Sequence, residues 1–227
     1  MDNVLCIVAA REGSKGLPNK NIKELGGKPL INWVIDEAKK SKSIDRLILS
    51  TDSDKIIDIV KDKIEIPFKR PKKLSEDKSS IIDVLKHSKD YFDKRGENYK
   101  YILLLQPTSP FTLHTDIEKS IELVNRENID TLISGYKLDQ THPDIMFFSN
   151  NGKIQWYNNS KKQINRQDLS KLYIRSGNIY LFKSELLSEN KIYGDLIKFI
   201  EIPKKRALSI DNIDDFNIAK FYINEKI

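Results

Sequence analysis

The chain has 227 residues, of which 39 are lysine or arginine and 33 are aspartate or glutamate, giving a formal net charge of +6. This length favours a single domain, 1–227, and the interspersed charges argue against nucleic-acid binding while leaving room for a phosphate site. No stretch approaches the roughly 20 apolar residues of a membrane span. The N-terminus lacks a signal-peptide pattern and the single cysteine, Cys6, fits a small core residue. We therefore expect a cytoplasmic protein without a membrane partner.

Short apolar runs alternate with helical patterns along the first part of the chain. Strands are predicted at 4–9, 47–49, 101–105 and 130–136. Helices are predicted to begin after Pro29 and near residues 54, 80 and 115, where apolar residues recur every three or four positions. Repeated strand–helix–strand units predict an α/β fold with a mostly parallel, Rossmann-like sheet that carries helices on both faces.

The alternation stops near residue 140. Apolar and aromatic residues at 146–148 and 154–157 flank an Asn-Gly pair, which tolerates the positive φ angles of a hairpin turn. We interpret 140–175 as an excursion, either a lid over a site or a dimerisation arm. Exposed aromatic residues favour the arm and hence a homodimer. Strands return at 179–182 and 199–202, and a helix ends the chain.

The segment AAREGSKGLPNKNI, at 9–22, follows the first predicted strand. Ligands of open parallel sheets bind beyond the carboxyl ends of strands, so this loop is a candidate site. It matches neither the G-x-x-x-x-G-K-[ST] phosphate loop nor the G-x-G-x-x-G dinucleotide fingerprint. Its glycines would let backbone N–H groups approach an anion, and Arg11, Lys15 and Lys20 would supply charge. Both a phosphate loop and a solvated turn are compatible with it.

Two later loops carry polar residues beside prolines. In RPKKLSEDKSS, at 70–80, the following proline favours an extended Arg70, and Ser79 and Ser80 could simply cap the next helix. In QPTSP, at 106–110, two prolines stiffen a polar loop at the end of the strongest predicted strand. Such a rigid polar loop is more typical of a ligand site than of a simple turn.

These three segments resemble, in order and spacing, motifs of the acylneuraminate cytidylyltransferases, also called CMP-sialic acid synthetases. NRQDL at 165–169, SGNIY at 176–180 and LSIDNIDDF at 208–216 are similar to that family's RRQDLP, NGAIY and closing D-x-D segments. The resemblance spans nearly the whole chain. The Gly-Ser-Lys-Gly-Leu-Pro run favours the nonulosonate branch over the related KDO cytidylyltransferases.

The resemblance implies an enzyme that transfers CMP from CTP to the anomeric hydroxyl of a nine-carbon α-keto acid sugar, with Mg²⁺ as cofactor. Its implied catalytic residues are Arg11, Lys20 and Asp211, and Asp211 is also the implied metal ligand. Nucleotide binding is implied for Ala10, Arg11, Ser14, Gly16, Lys20, Asn21, Arg70, Ser79 and Ser80. Sugar-acid binding is implied for Gln106, Thr108, Ser109, Arg166, Arg175 and Tyr180.

Two positions depart from the family pattern. Ser209 replaces the first aspartate of the closing motif, so only Asp211 remains, although one carboxylate with the triphosphate could suffice for Mg²⁺. Asn178 replaces the alanine of NGAIY, and a polar residue in the sugar pocket would indicate a sugar other than N-acetylneuraminate, such as legionaminate or pseudaminate. Two alternatives stay open: an enzyme for another acceptor such as KDO, and a nucleotide-binding relative that has lost catalysis.

Overall fold

The computed structural model describes residues 3–13, 16–138, 141–158 and 170–225. The strands are β1 Val4–Ala9, β2 Glu24–Leu25, β3 Lys28–Pro29, β4 Arg46–Ser50, β5 Tyr101–Leu105, β6 Thr131–Lys137, β7 Phe147–Asn150, β8 Lys153–Trp156, β9 Tyr173–Lys183 and β10 Ile197–Glu201. The α-helices are α1 Leu30–Lys40, α2 Asp54–Val60, α3 Ile81–Asp93, α4 His114–Glu127 and α5 Ile213–Asn224. No helix in these ranges combines the length and apolar character that a membrane span requires.

Six strands form the main sheet, in the order β10-β6-β9-β5-β1-β4. β1 pairs in parallel with β4 and β5, and β10 pairs in parallel with β6. β9 runs antiparallel between β5 and β6. The predicted α/β fold with a mostly parallel sheet is confirmed. Because β9 is reversed, its first residues lie at the edge of the sheet where β5 and β6 end.

The two faces of the sheet bury separate apolar clusters. Along β1, Val4, Cys6 and Val8 face a core that α1, α2 and α4 cover, whereas Leu5 and Ile7 face a core that α3 covers. This division follows from the alternation of side chains along a strand. Helices therefore lie on both faces, as predicted. Burial raises the pKa of the Cys6 thiol, which makes it an inert core residue.

A third apolar cluster joins the two ends of the chain. It contains Leu17 from the first loop, Phe111 from the loop after β5, and Ile210 and Phe216 from the end of the chain. Helix α5 begins with a capping box in which Asn212 and Asp215 exchange side-chain and backbone hydrogen bonds. This packing fixes the segment before α5 beside the first loop.

The hairpin predicted within the excursion is confirmed as β7–β8, with residues 151 and 152 at φ angles of 49° and 78°. Its apolar side chains are largely exposed: Phe147 is 51% exposed, Phe148 58% and Ile154 57%. Phe147 and Ile154 lie on one face and Phe148 on the other, since side chains alternate along paired strands. Both faces of the hairpin therefore present apolar surface.

Candidate active site

Three segments meet beyond the carboxyl ends of β1 and β5: the loop 10–23, the loop 106–112 and the segment 206–212. They enclose a cleft of about 390 Å³. Its walls are formed by Ala9, Arg11, Gly13, Gly16, Lys20, Asn21, Gln106, Pro107, Thr108 and Asp211. Seven of the residues singled out in the sequence for catalysis or binding thus lie together, although they come from distant parts of the chain.

An ion pair joins two walls of the cleft. The Lys20 ammonium lies 2.9 Å from Oδ1 of Asp211, and the Ser209 hydroxyl donates to Oδ2 of the same carboxylate at 3.0 Å. Burial raises the pKa of Asp211, but the hydrogen bond and charge of Lys20, together with the Ser209 hydroxyl, outweigh it and hold the pKa below its ordinary value. Asp211 is therefore ionised at neutral pH.

Gly16 allows the first loop to approach the Asp211 backbone. A Cβ atom on Gly16 would lie 2.3 Å from the Asp211 carbonyl oxygen, closer than van der Waals contact permits. Gly13 differs, because a Cβ atom there would meet nothing within 4 Å. Of these two glycines, Gly16 is the one that the closed cleft requires.

Arg11 lies between the cleft and a second groove of about 460 Å³, which residues 75–78 line on the other side. Its guanidinium donates to the Ser75 carbonyl at 3.2 Å and to Oδ1 of Asp77 at 3.0 Å. The Asn21 amide, 7% exposed, donates to the Arg11 carbonyl at 2.9 Å. The sequence does not predict the contacts of Arg11 with Ser75 and Asp77, because no local pattern pairs an acid near residue 77 with Arg11.

Arg70 and Ala10 lie beneath the first loop rather than on the wall of the cleft. Arg70 is 5% exposed and donates to Ser50 Oγ at 3.0 Å, to the Ala10 carbonyl at 3.3 Å and to the Ser50 carbonyl. Burial lowers the pKa of Arg70 to about 10, so the guanidinium stays charged at neutral pH. It ties the end of β1 to the end of β4 and places a positive charge below the cleft.

Of the predicted serines, the three that the structure describes, Ser79, Ser80 and Ser109, do not line the cleft. Ser80 caps α3 by accepting from the Ile82 amide at 3.1 Å, and Ser79 donates to the Lys73 carbonyl at 2.7 Å. Ser109 is fully buried. Two further residues, Ser14 and Arg166, lie outside the part of the chain that the structure describes.

Arg175 and Tyr180 lie on β9, with Arg175 near the edge of the sheet where β6 ends. The Arg175 guanidinium lies 5.5 Å from the centre of the Tyr180 ring and donates to the Tyr193 hydroxyl at 2.5 Å. That hydrogen bond raises the pKa of Arg175. Tyr193 was not identified from the sequence, because it lies in a loop distant from the recognised motifs.

The expectation that Asn178 presents a polar group to the sugar pocket is wrong. Its side chain is fully buried, and its amide nitrogen donates to Thr112 Oγ1 and to the Arg206 carbonyl. The strand pattern reveals that residues alternate between faces, but not which face of β9 meets the loop after β5.

The carboxylate of Asp211 fits a hard divalent cation. Its side chain is 66% exposed and lines the cleft beside Lys20. Among residues 3–13, 16–138, 141–158 and 170–225, no group of three or more His, Cys, Asp or Glu side chains is placed to hold a metal ion. Because Mg²⁺ retains waters and accepts substrate phosphates as ligands, one carboxylate is compatible with it.

Comparison with known proteins identifies the family to which the sequence is related. Residues 5–227 match the sequence profile of a family described as Cytidylyltransferase. The chain is 28% identical over 218 residues to a pseudaminic acid cytidylyltransferase of Campylobacter jejuni, covering 95% of this chain and 94% of that protein. It is 32% identical over 217 residues to an N-acylneuraminate cytidylyltransferase of Streptococcus agalactiae, covering 93% of this chain and 51% of that protein.

A solved structure shares the fold. CMP:2-keto-3-deoxy-manno-octonic acid synthetase complexed with CTP superimposes with a TM-score of 0.72 at 14% identity, covering 99% of this chain and 100% of that chain. Enzymes of the matched family generally use a divalent cation. The match of the family profile to almost the entire sequence places this chain in the cytidylyltransferase family, as a CTP-dependent nucleotidyltransferase.

Proposed function

We propose that the protein transfers CMP from CTP to the anomeric hydroxyl of a nine-carbon α-keto acid sugar of the N-acetylneuraminate, legionaminate or pseudaminate type. The observation that carries the proposal is the cleft in which Lys20 pairs with Asp211 and which Arg11 and Gln106 also line. The pseudaminic acid and N-acylneuraminate specificities of the two relatives support this class of acceptor.

Phosphoryl transfer of this kind depends on positioning and on neutralisation of charge. The anomeric oxygen forms a bond to the α-phosphorus, the bond from that phosphorus to the pyrophosphate oxygen breaks, and the hydroxyl proton passes to water. Arg11 and Lys20 bind the triphosphate, and Lys20 faces the charge that develops on pyrophosphate. Asp211 would hold a divalent cation, for which we propose Mg²⁺, and that cation would supply further neutralisation of the phosphate charge.

The remaining residues divide between the two substrates. On the nucleotide side, the first loop supplies Ala10, Ser14, Gly16 and Asn21. The segment that borders the second groove supplies Arg70, Ser79 and Ser80 to the same substrate. On the acceptor side, Gln106, Thr108 and Ser109 belong to the rigid loop. The guanidinium of Arg175 or Arg166 is suited to a bidentate contact with the sugar carboxylate, and Tyr180 to a wall of the pocket.

We also propose that residues 1–227 act as one catalytic unit in the cytoplasm and that two copies associate through the 140–175 excursion. Apolar side chains on both faces of the β7–β8 hairpin support this association, because isolated hairpins with such exposed surface are normally covered by a partner.

Activity with CTP and a panel of keto acid sugars tests the proposal. Pyrophosphate release is expected with CTP and a nonulosonate, but not with ATP, GTP or UTP. Lys20→Ala is expected to lower the rate by about 100-fold or more, because a charge that stabilises the transition state is lost. Lys39→Ala, an exposed lysine on α1, is the matched control and keeps wild-type activity. Turnover only with KDO would reassign the acceptor, and CTP binding without turnover on any sugar would favour a degenerate relative.

The proposal that Asp211 binds the metal ion, and that the nearby Asp214 does not, can be tested by substituting each aspartate. Asp211→Asn is expected to raise the Mg²⁺ concentration for half-maximal activity by at least about 10-fold, the loss typical of weakened metal ligation. Asp214→Asn alters an exposed acid in the first turn of α5 and leaves the titration unchanged. Metal titrations of the three proteins check this, and an unchanged curve for Asp211→Asn would move the metal site elsewhere.

The two glycines of the first loop offer a matched pair. Gly16→Ala is expected to lower kcat/KM by about 10-fold or more, because its Cβ atom would push the loop away from Asp211 and displace Lys20. Gly13→Ala introduces a methyl group that meets no protein atom within 4 Å, so it leaves the Asp211 segment in place and is expected to lower kcat/KM less than Gly16→Ala does. Equal effects of the two substitutions, measured by steady-state kinetics, would contradict the role of the Gly16 contact.

Association through the hairpin is tested by sedimentation. Wild-type protein is expected to sediment as a dimer, and Ile154→Asp to dissociate it by placing a charge in an apolar interface. Phe221→Asp, on α5, alters a side chain with the same 57% exposure and is expected to leave the dimer intact. A wild-type monomer would contradict the proposal.

A further inference from the structure

The buried side chain of Asn178 lies between the two walls of the cleft. Its amide nitrogen donates to Thr112 Oγ1 at 3.0 Å and to the Arg206 carbonyl at 3.1 Å. Thr112 ends the loop that carries Gln106, and Arg206 begins the segment that carries Asp211. One NH₂ group therefore bonds to both walls.

The hydrogen bond to Thr112 connects Asn178 to the loop 106–112, which we call the acceptor-side loop because it carries the residues proposed to bind the sugar acid. The Thr112 hydroxyl accepts from Asn178 and donates its proton to the Ser109 carbonyl at 2.9 Å. The Ser109 amide in turn donates to the Gln106 carbonyl at 3.0 Å. Since a hydroxyl has a single proton to donate, this pattern fixes its orientation. The position of Gln106 is thus linked to Asn178 by an unbroken series of hydrogen bonds.

The bond to Arg206 acts on the opposite wall. The Arg206 guanidinium pairs with both carboxylate oxygens of Asp116 in the first turn of α4 and donates to the Phe111 carbonyl at 3.4 Å. Further along, the Ile210 amide donates to the Thr108 carbonyl at 2.8 Å. The Asp211 segment is therefore attached to the acceptor-side loop near both of its ends, and Asn178 provides one of these attachments.

The other half of the Asn178 amide has no hydrogen-bond partner within residues 3–13, 16–138, 141–158 and 170–225, and its Oδ1 atom is buried. A buried, unpaired carbonyl oxygen destabilises a fold, so the side chain is a poor choice if stability were its only role. Its two donor bonds instead favour a role in orientation.

We propose that Asn178 is a positioning residue that holds the acceptor-side loop in register with the Asp211 segment. This inference rests on the proposed function: the relative position of the two segments determines how the sugar acid is oriented towards the CTP bound at Lys20 and Asp211. Asn178 acts without touching either substrate, because its side chain is buried behind the cleft.

Hydrogen exchange of the protein without substrates tests whether Asn178 holds the two segments together. In Asn178→Ala, backbone amides of 206–211 and 109–112 are expected to exchange about 10-fold faster in the protein without substrates, because the attachment between these segments is lost. Asn32→Ala is the matched control: Asn32 is also a buried asparagine with an unpaired Oδ1, but it lies on α1. Unchanged exchange in Asn178→Ala, or an equal increase in Asn32→Ala, would overturn the proposal.

Kinetics of the same proteins separate positioning from general loss of stability. Asn178→Ala is expected to raise the KM for the sugar acid or lower kcat by about 10-fold, with the KM for CTP unchanged. Thr112→Val breaks the same series of bonds from the other side, so the double variant is expected to be no worse than the poorer single variant. Additive losses, or an equal rise in both KM values, would overturn it. An inactive wild type would instead contradict the proposed function, and hydrogen exchange alone would then decide the role of Asn178.

Discussion

The candidate site depends on one contact between residues 191 positions apart, the ion pair of Lys20 with Asp211. It lies where the first loop meets the segment before α5, and it gives the cleft walls of opposite charge. The Asp211 side chain is 66% exposed, although that of Lys20 is only 13% exposed, and a pair whose carboxylate is so well solvated contributes on the order of 1 kcal/mol. The ammonium can therefore exchange the carboxylate for a phosphate oxygen at little cost, and the carboxylate can exchange the ammonium for a cation. A weak pair suits a site whose partners change when substrate binds.

Because the ion pair is weak, something else must bring the two ends of the chain together. Apolar burial does so: Leu17, Ile210 and Phe216 are each 5% exposed or less and share one cluster. Full burial of one such side chain contributes about 1.5–3 kcal/mol, more than the exposed pair does. The close approach at Gly16 then sets the final spacing of the loop. Apolar packing therefore positions Lys20 and Asp211, and their charged groups remain able to bind substrate or a cation.

The sequence predicted the order of strands and helices well because alternation of apolar residues directly reflects burial. It also identified most residues of the cleft wall, since loops after parallel strands converge at one edge of the sheet. It did not predict that β9 runs antiparallel, because the pattern of apolar residues along a strand is the same in either direction. The error at Asn178 has the same origin: polarity can be read in a sequence, but the face of a strand cannot. The burial of Arg70 under Ala10 likewise depends on tertiary contacts that no local pattern encodes.

The two sides of the cleft are built in different ways, and this difference bears on specificity. On the proposed nucleotide side, the ion pairs of Arg11 and Lys20 each include a carboxylate that is at least half exposed. On the proposed acceptor side, Thr112 and Asn178 are fully buried and hydrogen-bonded to each other. Triphosphates are recognised largely by charge, which tolerates rearrangement, whereas related sugars differ by single polar groups. A fixed polar surface discriminates among such groups because a mismatched sugar leaves a buried donor or acceptor unpaired. Under the proposed function, the choice of sugar acid would therefore depend on this buried, hydrogen-bonded wall.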